Sequence, residues 1–214
     1  MELKKMAENL NQASLAKFKV FGTIPKDTIY LPQIPFTLRN DCRIGIWKIG
    51  NEDYRGKEIE ISIIKVNQLF GTLGKSTNTF WMQIWFVPAP SCEVIPSNIV
   101  YVSYLKGRSI TQFSEKITQL MQSSVEPALG IFKAGFTKHT GEKGDYYSVV
   151  FDWRERASEA EFEQLNRIAD LMATDPKLVD FSIDLLPIDN LSTEEIQMLI
   201  TAANSEKIQL SQAK

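Results

Sequence analysis

The sequence predicts a mainly β protein, α+β overall: an OB-like five-stranded barrel with one capping helix, followed by a C-terminal helical segment. Three observations predict it. Apolar residues alternate at period two in short runs between residues 44 and 153, with Gly and Pro between the runs. One amphipathic helix interrupts those runs after the third or fourth of them. Beyond Arg154 the spacing becomes helical and the charge turns acidic. The division that follows is an N-terminal arm over 1–22, partly disordered or helical, a barrel domain over 23–153, and an acidic helical segment over 154–214 that packs on the barrel or projects from it.

Taken in order, residues 23–40 carry Pro25, Pro32 and Pro35 among apolar residues and read as an extended lead-in. Residues 44–49 form a short apolar run closed by Gly50-Asn51. Ile59, Ile61 and Ile63 then alternate with Glu58, Glu60 and Ser62, but Ile64 and Val66 continue on the other parity, a phase slip that a β-bulge would produce. After a Gly/Ser/Thr loop over 71–78, residues 79–87 are the most β-prone stretch, ended by Pro88 and Pro90. Another β-prone run, 99–105, is one strand more than a five-stranded barrel needs. Ser109 and Gln112 have capping-box spacing, and Ile110, Phe113, Ile117, Leu120 and Met121 line one face of the helix they open. Two strands follow Pro127, over 129–137 and 146–153, joined by a Gly-bounded loop holding Lys138, His139 and Lys143. Ser158/Glu161 and Ser192/Glu195 start two further helices, the first with Phe162, Leu165, Ile168 and Met172 inward. Residues 178–188 are apolar and fit either element.

Composition narrows the class. The 214 residues are 43% hydrophobic and 23% charged, ordinary for a folded globular chain. Two cysteines, Cys42 and Cys92, are too few for a disulfide scaffold and read as thiols. No run resembles a signal peptide or approaches the roughly 20 apolar residues of a membrane span, so the expected location is cytoplasmic, without membrane contact. Net charge is −2, unevenly divided: +3 over 1–39, +2 over 40–150 and −7 over 151–214. Such asymmetry points to nucleic acid or a partner protein, or simply to solvated acidic helices.

Parity supplies the candidate site. On residues 79–87, Phe80, Met82, Ile84 and Phe86 share the core face, leaving Trp81, Gln83 and Trp85 on the other. Outward-facing indoles on a middle strand suit stacked bases, and Tyr146, on the opposite parity from Tyr147, Val149, Phe151 and Trp153, would join them. Phosphates would be met by Lys65, Lys106, Arg108, Lys133 and Lys138. The competing reading buries both indoles beneath the C-terminal helices or the proline arm.

Other patterns point away from catalysis. Residues 71–77 look like a phosphate-binding loop, but G-x4-G-K-S would need glycine where Leu69 stands. His139 is the only histidine and has no nearby metal-ligand or triad spacing, so it reads as a solvated loop residue. Glu58 and Glu60 read as surface charge. No cofactor, no metal and no enzyme activity are expected.

The proline-bearing lead-in, Gly45-Ile46-Trp47, the 80–87 strand, Tyr104-Leu105-Lys106-Gly107-Arg108-Ser109 before the helix, and the Tyr-rich last strand together resemble phage- and plasmid-type single-stranded-DNA-binding proteins with an OB-like fold, over about residues 30–153. The resemblance implies a non-catalytic coat for single-stranded DNA, or RNA, accessory to replication or recombination. It also implies an acidic C-terminal tail for partners, whereas here the acidity is spread over helices and the last residue is Lys214. The alternative is a protein–protein interaction module of phage or mobile-element origin using the same aromatic face. A protein partner for the acidic helices and self-association remain open in either case.

Overall fold

The computed structural model describes residues 28–32, 34–142, 144–174 and 185–212. The expected arm over 1–22, Lys143 and most of the apolar stretch 178–188 therefore lie outside the described residues.

Among the described residues nine strands form one strongly curled, half-barrel sheet: β1 (Phe36–Asp41), β2 (Ile46–Ile49), β3 (Asp53–Gly56), β4 (Ile59–Leu73), β5 (Ser76–Pro88), β6 (Tyr101–Lys106), β7 (Ile131–Gly141), β8 (Gly144–Arg154) and β9 (Leu185–Pro187). The helices are α1 (Arg108–Gln122), α2 (Glu159–Thr174) and α3 (Thr193–Gln212). Strand order is β3-β2-β1-β6-β5-β4-β7-β8, with β9 also on β4. Only the β1–β6 pair among these is parallel.

Strand β4 organises the barrel by pairing with β5 along its length and, on its other edge, with β7 at one end and β9 at the other. The phase slip read from the sequence is a bulge: Ile63 faces Phe86 and Lys65 faces Trp85, so Ile64 is the extra residue. The OB-like set is β4, β5, β6, α1, β7 and β8, so the 101–106 run is a barrel strand and the surplus lies earlier, in β1, β2 and β3. The lead-in thus ends in a strand rather than an arm. The free edge of β8 is sealed by two contacts: Tyr147 N–H donates to the Cys42 carbonyl at 2.7 Å and Val149 N–H donates to Ser109 Oγ at 2.9 Å. An unsealed edge would leave backbone donors without partners.

That seal changes the start of α1. The expected capping box does not form; Gly107 is the N-cap, while Ser109 and Gln112 both turn to β8. Ser158/Glu161 and Ser192/Glu195 do form capping boxes. The two expected loops are also tighter than the sequence suggested. Leu73 pairs with Ser76 and Gly141 with Gly144, so each hairpin turns on two residues and His139 is on a strand.

Met82, Ile84, Phe86, Phe113, Phe132 and Phe151 fill the barrel interior. The outer face is covered by α2 through Ile168 and Met172 of the set its apolar spacing selects, whereas Phe162 is 52% exposed and the polar Glu161 and Gln164 are buried in its stead. A polar latch explains the rotation. Arg156 donates to Ser62 Oγ at 2.8 Å and to the carbonyls of Leu129, Gly130 and Glu161. Gln164 accepts from Ser62 and donates to the carbonyls of Pro88 and Ser97. Arg154 bridges Glu161 at 2.7 Å and Glu60 at 2.8 Å, so Glu60 is a latch member rather than surface charge.

Replacing Arg156 with Ala leaves Ser62 and three backbone carbonyls short of a buried donor and should cost about 3 kcal/mol, read from denaturant midpoints. Hydrogen bonds from Arg154 hold Glu60 below the ordinary carboxylate range and Glu161 at about 2. A folded value below the unfolded one stabilises the fold fully above the unfolded value of about 4.3. That contribution should disappear as pH falls from there through about 2, and Glu161→Gln should flatten the loss in an acid titration followed by circular dichroism.

Candidate nucleic-acid interface

The indoles face outward from the barrel as parity requires, but neither meets solvent. Trp85 is 1% exposed, packed with Val87, Val100, Val102 and Ile168 beneath α2. Trp81 is 7% exposed against Leu69 and Leu185, and its Nε1 donates to the Gly71 carbonyl. Between them Gln83 accepts from Asn67 and donates to the Tyr104 hydroxyl, filling the gap with a closed polar strip. The expectation of two stacking indoles is therefore corrected: helix α2 and strand β9 occupy the surface the bases would have used.

The expected cations divide into two groups. Lys65 stands on the outer face of β4, opposite Trp85. Lys133 is bound to Glu58 at 2.7 Å on β7, opposite Asp152. Lys106, Arg108 and Lys138 belong to a connected stretch that also includes residues the sequence reading passed over. It starts at the β4–β5 turn, Gly74-Lys75, where Lys106 Nζ donates to Ser76 Oγ at 2.6 Å and lies 5.5 Å from the Trp81 ring centroid. Gly107, at φ +51°, turns the chain into α1 and places Arg108 at its first position, exposed. No carboxylate lies within ion-pair reach of Lys75, Lys106 or Arg108 among the described residues.

The stretch continues through the β1–β2 turn. Burial pushes the Cys42 thiol up, against a hydrogen bond from Ser109 and the charge of Lys106 beside it. Burial also opposes ionisation of Asp41, but Lys48 at 2.5 Å and Arg43 override it and hold the carboxyl at about 2. Asp41 is thereby neutralised, and Arg43 keeps an 85% exposed side chain. Gly45, at φ +67°, lies under Tyr147: a Cβ there would come within 2.6 Å of that ring, so the turn requires glycine. From Tyr147 the path reaches the β7–β8 hairpin, where Lys138 pairs with Asp145 at 2.6 Å. Tyr146 is 39% exposed there, as parity predicts, and packs against His139.

His139 is held on its strand by Ser148, and among the described residues no three His, Cys, Asp or Glu side chains group as metal ligands. No helix among those residues is long and apolar enough to cross a membrane. Lys75 and Arg43 could have been found from the sequence only by knowing which turns meet, since each is an isolated cation in a turn.

With Trp47, Trp81 and Trp85 buried, tryptophan emission should be blue-shifted and poorly quenched by acrylamide. Efficient quenching of most of the emission would contradict this arrangement. Compared with known protein families, with curated proteins and with solved structures, the chain matches none, so its likeness to single-stranded-DNA-binding proteins rests on the residue layout alone.

Proposed function

We propose that the chain is a non-catalytic binder of single-stranded nucleic acid, DNA in the first instance, acting as an accessory in replication or recombination. The observation that carries the reading is the group Lys75, Lys106 and Arg108, cations without carboxylate partners around the β4–β5 turn and the end of β6. In OB-type barrels the face of strands two and three, with the loops after strands one and four, takes oligonucleotides. Strands β5 and β6 stand where that face would be; α2 and β9 cover its middle, and the group sits at its uncovered margin by the β4–β5 turn. No carboxylate among the described residues pairs with this group, and local charge matters more to a polyanion than the net −2 of the chain.

Fluorescence anisotropy of labelled oligo-dT tests the proposal better than tryptophan emission, because the indoles are covered. Three phosphate contacts give a single-strand salt slope of about −2, so affinity should fall roughly 20-fold between 50 and 200 mM salt. Lys106→Glu with Arg108→Glu should weaken binding at least tenfold, whereas Lys133→Gln should change it little. No binding at micromolar protein and low salt would end the reading.

A second reading, the interaction module, draws on a different surface from the aromatic face first considered. An open apolar groove of about 770 Å³ lies between the β4 bulge and the second half of α1, lined by Ile63, Val66, Met82, Ile117, Met121 and Phe132. An apolar partner there would bind with little response to salt, which separates the two readings in one titration series.

A further inference from the structure

We infer that Tyr146, backed by His139, is the base-stacking element of this chain, in place of the two covered indoles; the inference rests on the nucleic-acid reading. Tyr146 and His139 face one another across the β7–β8 pair, with ring centroids 5.1 Å apart and planes inclined by 36°. The histidine is not a loosely held surface ring. The Ser148 hydroxyl has one proton and donates it to Gln112 Oε1 at 2.6 Å, so it accepts from His139 Nε2 at 2.7 Å. Ser148 is 2% exposed and Gln112 belongs to α1, so a buried relay from the capping helix orients a partly exposed imidazole.

The setting suits a stacked base. Tyrosine offers a large ring at low conformational-entropy cost, and the imidazole behind it restricts its rotation. Gly141 beside it carries no side chain; a Cβ there would stand 3.4 Å from the ring edge. Lys138, one residue before His139 on β7, faces the other side of the strand pair, where Asp145 holds it, so the nearest carboxylate-free cations are those at the end of β6. The hydrogen bond from Tyr147 to Cys42 joins this hairpin to the turn that meets Lys106 and Ser109, so the hairpin and the end of β6 adjoin through one turn.

The experiment is a titration of full-length protein with oligo-dT carrying one 2-aminopurine, whose emission is quenched when the base stacks, alongside anisotropy of the labelled strand. Stacking is worth roughly 1–3 kcal/mol per base, so Tyr146→Ala should weaken binding about tenfold and abolish the quench. Tyr146→Phe should restore the quench, and His139→Ala should reduce it. Thermal stability checks that Tyr146→Ala still folds. If Tyr146→Ala binds and quenches like the unmodified protein while Arg108→Glu binds weakly, the stacking role is overturned and the nucleic-acid reading survives. If the unmodified protein binds no oligo-dT, both fall together.

Discussion

Arg156 ties the two layers of this molecule to each other. Its guanidinium is 6% exposed and donates to Ser62 on the barrel, to the carbonyls before β7 and to the first turn of α2. A buried guanidinium is tolerable only when its donors are matched, and the partners here are neutral oxygens at 2.8 to 3.2 Å. Because one bond holds the first turn of α2 while the others reach Ser62 on β4 and the carbonyls before β7, the helix is seated against the sheet at that point. That seating places Ile168, Leu171 and Met172 over Trp85 and turns Phe162 toward solvent. The surface that remains for a ligand is decided by this latch more than by the strands themselves.

Much of the barrel was legible because its signals are local. The bulge at Ile64 shows as a change of parity between Ile59 and Val66, the inward positions Met82, Ile84 and Phe86 of β5 show as alternation while Phe80, read with them, packs on Phe70 outside that core cluster, and two of three capping boxes show as a serine three residues before a glutamate. Exposure was not legible. Parity separates the two faces of a sheet but does not say what covers the outer one, and the bond from Arg156 to Ser62 joins residues 94 apart. Ser109 and Gln112 illustrate the same limit: their spacing fits a cap, yet in the fold a strand edge competes for both side chains and takes them. The surplus strand was misplaced for a related reason. Strands β1 to β3 are short and Pro- or Gly-flanked, and only pairing with β6 and β2 gives them a role.

Closing the barrel and assembling the candidate interface are one event. A half-barrel whose last strand kept a bare edge would expose unpaired amides, and this chain satisfies them with the Cys42 carbonyl and the Ser109 hydroxyl rather than with β6 directly. Inserting the β1–β2 turn at that point has two electrostatic consequences. It carries Arg43 to the surface while Lys48 and Asp41 neutralise one another beneath it. It also brings the start of α1, with Arg108, beside the hairpin that holds Tyr146. Cations far apart in sequence are thus grouped by the same hydrogen bonds that make the fold complete, and a chain of negative net charge still presents a locally positive path. On this account the site needs no loop rearrangement to form, since every segment of the path is already anchored to a strand or a helix end by contacts the barrel requires.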